Sequence, residues 1–311
     1  MSCYDRIICQ LGFILSLSGL ILLNKPCGIT SRDCVNKLVK LLNNKKIGHA
    51  GTLDPGATGM LPIFIGRSTK FIRFLVEQKK SYSVVMRLGV KTSTLDNLGE
   101  VVATKSVPSF DKLHIESLLE KFIGSVKQTV PLISAVRVNG KRLYEYARSN
   151  QDVDLPVREV FIHDIKLQGL ADDTLSFDVV CSKGTYVRSL VEDIAAELGT
   201  YAHVIELHRN WVAPFENQSM IDMATIIDCC DSHKDLANFP GITNLSEVFV
   251  HYPRINLSVS DCRALSYGQE VIYVGECLFN TEYAVFNDDK FFGVVQIDIE
   301  RKIKVCKLYL L

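Results

Sequence analysis

The 311-residue sequence has no net charge, 35 Lys and Arg balancing 35 Asp and Glu. That balance argues against a protein that coats a polyanion through bulk positive charge. It also lacks any Cys-x-x-Cys pair among its ten cysteines. Cys229 and Cys230 are adjacent rather than spaced for a metal, and no histidine pair has a zinc spacing. A zinc module and a dithiol redox centre are therefore not expected. Most of the cysteines read as small buried apolar residues of a protein in the reducing cytosol. There is no internal repeat and no low-complexity tract. The apolar stretch 7–23 is short for a membrane span and offers no signal cleavage site that spares the residues after it. Residues 19–24 read instead as a buried strand, and residues 1–18 as an extension without an evident role.

What is present is unevenly placed. Residues 40–91 hold ten basic side chains against two acids, Asp54 and Glu77, a net of +8, whereas residues 216–311 carry a net of −6. Inside the basic segment, residues 48–59 read GHAGTLDPGATG and hold a single carboxylate, Asp54. Glycines around one acid suit a tight loop that presses Asp54 toward a substrate, and the basic surroundings suit a polyanionic one. Asp-Pro-Gly is equally a β-turn sequence, and uneven charge equally a solvated surface.

Periodicity gives a mixture of strands and helices that do not strictly alternate, hence an α+β fold. Thr30 or Ser31 caps a helix to about residue 42. Residues 82–90 alternate as a half-buried strand with Tyr82, Val84, Met86, Leu88 and Val90 on one face. A helix over 111–123 has Leu113, Ile115, Leu118, Leu119 and Phe122 as its apolar stripe. Residues 128–151 read as a long irregular binding loop. Strands follow near 157–168 and 174–181. The 3.6 repeat of Val187, Leu190, Val191, Ile194, Ala195 and Leu198 makes 185–198 a helix ended by Gly199, with Arg188 beside the stripe and Glu192 as its i,i+4 neighbour. A short strand over 203–208 and a helix near 221–227 precede a linker to about 247. Short strands after residue 252 suggest a small β-barrel.

Five blocks in register resemble the TruB-type tRNA pseudouridine(55) synthases in their bacterial stand-alone form. They are LLNKPCGITS (22–31), GHAGTLDPGATG (48–59), KSYSVVMRLG (80–89), ISAVRVNGKRLYEYAR (133–148) and CSKGTYVRSLVEDI (181–194). The resemblance covers residues 19–215 well and the remainder more loosely. It implies a catalytic domain over 19–247, built on a mixed, mainly antiparallel sheet with flanking helices, and an RNA-binding domain of the PUA type over 248–311. It implies a cofactor-free, metal-free isomerase, monomeric and cytoplasmic, acting on the T arm of tRNA. Asp54 is the implied nucleophile, Arg188 its charge partner and Tyr82 the active-site ring, while Lys25 supports the catalytic loop. His49, Tyr186 and Leu207 are implied to meet or wall the substrate. From their charge and position, Lys45, Lys46, Arg67, Lys70, Arg137, Lys141 and Arg142 are candidates for phosphate contact.

The sequence departs from the family pattern at Asn24, Val130, Ile133, Arg137 and His208, none of them in the Asp54, Tyr82, Arg188 set. Two other readings stay open. One is a non-catalytic tRNA-binding or tRNA-folding protein with a vestigial pocket. The other is a glycosidase, whose chemistry ordinarily needs two carboxylates where the Asp54 loop offers one.

Overall fold

A computed structural model describes residues 18–231 and 241–309. Residues 1–17 of the N-terminal extension and the middle of the linker before residue 247 lie outside the described residues.

The described residues open with β1 (Gly19–Lys25), apolar from Gly19 to Leu23 and buried on both faces. Helix α1 (Ser31–Leu41) follows; Thr30 is its cap, in a capping box with Asp33. Ser31 instead exchanges hydrogen bonds with the backbone of Leu53, at 2.9 and 3.0 Å. Next come β2 (Ile47–His49), β3 (Thr58–Ile65), a 3-10 turn and the short helix α2 (Ile72–Val76). Strand β4 (Lys80–Leu88) buries Tyr82, Val84, Met86 and Leu88, as the alternation requires. Val90 does not continue it. Gly89 takes φ 86°, and the chain turns into the hairpin β5 (Val90–Thr92) and β6 (Val101–Thr104).

Helix α3 (Lys112–Glu120) buries Ile115, Leu118 and Leu119, but Leu113 is 76% exposed. At 100° per residue, Leu113 lies half a turn from those three and belongs to the solvent face. The segment 128–151 is also more ordered than expected. It contains the end of β7 (Gly124–Thr129), the hairpin β8 (Arg137–Val138) and β9 (Lys141–Arg142), and helix α4 (Leu143–Arg148). Strands β10 (Val157–Ala171) and β11 (Thr174–Cys181) form a long hairpin. Helix α5 (Val187–Glu197) buries its whole expected stripe. Strand β12 (Ala202–Val212) is nearly twice as long as the sequence suggested. The short β13 (Ile221–Asp222) leads into helix α6 (Met223–Asp231), and β14 (Ile242–Thr243) returns to pair with β1.

These strands build one ten-stranded sheet with main order β13-β1-β3-β12-β4-β11-β10-β7, in which β2 and β14 pair with β3 and β1. It is mixed and mainly antiparallel; β1–β13 and β3–β12 are its parallel pairs. The parallel pair β3–β12 positions the site. Its register sets Gly59 against Arg209 so closely that a Cβ on Gly59 would lie 2.3 Å from the Arg209 carbonyl oxygen. Only glycine fits there, at φ 98°.

The C-terminal residues form a second sheet: β15 (Arg254–Asn256), β16 (Glu282–Asn287), β17 (Lys290–Ile297) and β18 (Ile303–Leu308), in that order, with helix α7 (Val259–Ser266) against it. An aromatic cluster joins it to the first sheet. Phe71 and Phe74 pack on Phe249, which stacks on Phe291 at 4.7 Å. Of the eight described cysteines, Cys34, Cys181 and Cys262 are buried, four are half-buried and Cys27 is exposed, so fewer are core residues than expected. No helix among the described residues is long and apolar enough to cross a membrane.

Candidate active site

The loop between β2 and β3 is held from beneath. Lys25 is fully buried, and its Nζ donates to the carbonyls of Pro26, Ile29 and Pro55 at 2.9, 2.7 and 3.2 Å. Gly28 N–H donates to the same Pro55 carbonyl at 2.9 Å. Ala57 N–H donates to Asp54 O at 3.1 Å, so Asp54-Pro55-Gly56-Ala57 is indeed a β-turn. The turn leaves the Asp54 carboxylate facing Arg188.

Arg188 meets that carboxylate. It projects from the first turn of α5, with its side chain 5% exposed, while Asp54 keeps 36%. Nε lies 2.9 Å from Asp54 Oδ2 and Nη2 lies 3.2 Å from Oδ1, a two-point pair across 134 positions of sequence. The same guanidinium donates to the carbonyls of Thr94 and Ile133, at 2.9 and 3.0 Å. It does not pair with Glu192, which bonds Lys91. Burial raises the Asp54 pKa above its ordinary value, Arg188 pulls it down, and Asp96 pushes it up again.

Asp96 is a residue the sequence reading missed. It lines a small cavity with Asp54, Asn97 and Arg188, and its Oδ1 accepts from the Thr94 hydroxyl and from Leu98 N–H at 2.5 and 3.0 Å. The site therefore holds two carboxylates, the second brought in by the β5–β6 loop.

A cavity of about 260 Å³ lies beside the pair, lined by Asp54, Tyr82, Tyr186, Arg188, Leu207 and Arg209. It is just under the roughly 300 Å³ of the smallest drug-sized pockets and has room for a nucleobase. Tyr82 is buried on β4, which pushes its phenol pKa up, with Arg209 opposing. Tyr186 is the N-cap residue of α5 and exchanges backbone bonds with the Gln128 side chain. Ile133, Ser134, Ala135, Tyr144 and Arg148 bound a second space on Asp54 of about 280 Å³, so the segment 128–151 reaches the site.

His49 is half-buried on β2 and does not line these cavities. Its Nδ1 is buried without a hydrogen-bond partner among the described residues, and burial together with Arg209 and Arg32 lowers its pKa. Lys45, Lys46, Arg67 and Lys70 are exposed. Arg137 and Arg142 are exposed and directly opposed across the β8–β9 hairpin. Lys141 is half-buried and bonds Ser149 and Gln151. Among the departures from the family pattern, Asn24 bonds Asp222, His208 bonds Thr58, Val130 is core, and Ile133 contributes only its carbonyl to Arg188. A larger cleft, about 620 Å³, adjoins the site and shares Leu207 with its cavity. Asp178, Glu206 and His208 line it, Asp54 does not, and its acids make it a poor seat for phosphate.

Arg209, fully buried, was also missed. Its neighbours His208 and Asn210 make that stretch of β12 read as polar surface, and the parallel pairing with β3 is what encloses it.

Residues 39–187 match the TruB family pseudouridylate synthase (N terminal domain), and residues 188–239 the tRNA pseudouridylate synthase B C-terminal domain. The tRNA pseudouridine synthase B of Coxiella burnetii (strain RSA 493) is 35% identical over 92% of this chain and 93% of its own length. That of Oceanobacillus iheyensis is 42% identical over 70% of this chain and 73% of its own. A solved Cbf5-Nop10-Gar1 complex contains a chain of the same fold, with TM-score 0.75 over 97% of this chain and 87% of that one at 23% identity. With its two-point Asp54–Arg188 pair and a base-sized cavity beside it, the chain belongs to the TruB family of pseudouridylate synthases.

Proposed function

We propose that this protein converts a uridine in the T loop of tRNA, at position 55, into pseudouridine, using Asp54 as the nucleophile. The observation that carries the reading is the partly buried, ion-paired Asp54 beside a cavity with room for a base. Its relatives of 35–42% identity are named tRNA pseudouridine synthase B.

The reaction breaks the C1′–N1 bond of a uridine, turns the base and joins C1′ to C5. An Asp54 oxygen bonds C1′ as the N1 bond breaks, and the base remains in the cavity. Two-point pairing to a guanidinium that cannot deprotonate keeps the carboxylate charged despite burial and fixes its direction. Tyr82 and Tyr186 supply ring surface and Leu207 supplies packing for the extruded base. Extrusion costs a few kcal/mol of lost stacking, which contacts to the surrounding loop offset. Arg137 and Arg142, set side by side on a hairpin near the site, suit a phosphate between them, and Lys45, Lys46, Arg67 and Lys70 suit others. Residues 19–247 form the catalytic part and 248–311 the PUA-type part. The protein acts as a monomer, in the cytoplasm.

Asp96 keeps the glycosidase geometry in view, although its Oδ1 is already engaged by Thr94 and Leu98. The test is position-resolved mapping of pseudouridine in tRNA transcripts after incubation with the purified protein. One new pseudouridine at position 55 is expected; none in any tRNA would end the proposal.

A further inference from the structure

The active-site cavity has a second wall that the ion pair does not use. Arg209 is 1% exposed and takes part in no ion pair among the described residues. Its Nε donates to Met60 O at 2.6 Å and its Nη2 to Gly51 O at 3.1 Å, so its partners are neutral carbonyls. Lys80 is 7% exposed and also lacks an ion pair there; its Nζ donates to the carbonyls of Val76 and Gln78 at 3.0 and 2.7 Å. The two side chains converge on Gly51. A methyl group on that residue would lie 3.4 Å from Arg209 Nη1 and 3.6 Å from Lys80 Cε. Both line the cavity that holds Asp54 and Tyr82.

Two buried like charges without a counter-ion are costly, and apolar residues of similar volume would pack there more cheaply. Lys80 registers the strain. Burial first, and Arg209 second, bring its pKa down to about 8, against weaker opposing effects of Cys181 at the end of β11 and Glu77 in the preceding loop; Lys183 in the facing loop adds to the lowering. An RNA phosphate is not the missing anion. The cations lie inside the cavity that Asp54 and Tyr82 line, whereas the exposed Arg137 and Arg142 stand on the β8–β9 hairpin outside it.

Charge conservation in the proposed reaction supplies the anion. When Asp54 bonds C1′, the electron pair of the C1′–N1 bond leaves with the ring. The carboxylate becomes a neutral ester, and the uracil becomes an anion with its charge shared by N1, O2 and O4. The negative charge has then moved off the Arg188 pair and into the cavity. When C5 attacks C1′, the C1′–O bond breaks and its electron pair returns to Asp54. C5 then loses its proton to a base and N1 gains one, so no oxidant or co-reactant is needed.

We propose that Arg209 and Lys80 form a cationic wall that holds the detached uracil as an anion between bond breaking and rejoining. The proposal rests on the isomerase reading above. A fixed wall of this kind acts by electrostatic preorganisation, its charges already in place when the ring charge develops.

The test is single-turnover pseudouridine formation by the full-length protein on a tRNA transcript, followed from pH 6 to about pH 10, with tRNA binding measured in parallel. Lys80→Met is expected to slow formation by about 10²–10³-fold while the tRNA Kd changes less than about threefold. The wild-type rate is expected to fall on the alkaline side with a midpoint near the Lys80 pKa of about 8. In Lys80→Arg, which cannot lose its charge, that fall moves to higher pH, so the variant outpaces wild type at alkaline pH. This arm does not depend on Lys80→Met folding. A Lys80→Met variant at wild-type rate, or a Lys80→Arg variant with an unmoved alkaline midpoint, would overturn the wall and leave the isomerase reading intact. A wild-type protein that makes no pseudouridine would remove both.

Discussion

Arg188 grips Asp54 at two points and donates two more N–H groups to the carbonyls of Thr94 and Ile133, so one side chain ties the Asp54 loop to three other parts of the chain. The pair does not make Asp54 a strong acid, because burial outweighs the guanidinium and its pKa stands above the ordinary 3.8. An Asp54 that acts as proposed must be ionised, so the rate is expected to fall as pH drops through that raised value. Arg188→Met removes the opposing cation. It is expected to lower the single-turnover rate by about 10²–10³-fold and to move the acid limb to higher pH. A raised folded-state pKa contributes stability below the unfolded pKa and loses it as pH rises, so Asp54 itself does not drive acid unfolding.

Asp96 acts on the same limb with the opposite sign. Its charge raises the Asp54 pKa, so Asp96→Asn is expected to shift the acid limb to lower pH with the neutral rate nearly kept. A pH–rate profile checks this. An Asp96→Asn protein inactive at all pH values would indicate a second catalytic carboxylate and favour sugar-bond chemistry of the glycosidase kind.

The joint between the two sheets rests on Phe249, buried among Phe71, Phe74 and Phe291. Phe249→Ala is expected to cost about 3–5 kcal/mol in chemical denaturation, through lost burial and the cavity left behind. It touches no group of the site, so activity per folded molecule should be unchanged.

Arg137 and Arg142 face each other across a hairpin, an arrangement that costs energy unless an anion joins them. Substituting either by Gln is expected to weaken tRNA binding and to reduce the slope of log K against log salt by about 0.7–0.9. A wild-type slope in both variants would place the phosphates elsewhere.

The sequence made some of this legible because the relevant physics is local. The stripe of α5 follows a 3.6 repeat, so its burial and the placing of Arg188 at its first turn could be read directly. Thr30 as the cap of α1 and the face of β4 to Leu88 are equally local. The pairing of Arg188 with Asp54 was not local and came through family resemblance, since 134 positions of chain separate them. What stayed hidden depended on long-range packing. Arg209 and Lys80 count as surface charge in any tally of the sequence, and only the β3–β12 register and the Gly51 approach enclose them. Asp96 lies in a polar loop that the fold, not its own sequence, delivers to Asp54. The ordered hairpin and helix within 128–151 are two- and six-residue elements, too short for periodicity to reveal.

The most direct measurement compares wild type with Asp54→Asn in two assays on one tRNA transcript: binding, and pseudouridine formation at single-nucleotide resolution. Asn keeps the shape of the side chain but loses the charge that attacks C1′. Binding within a few-fold of wild type with no detectable product is the outcome required by Asp54 as nucleophile. Product formed by Asp54→Asn at a rate near wild type would contradict it.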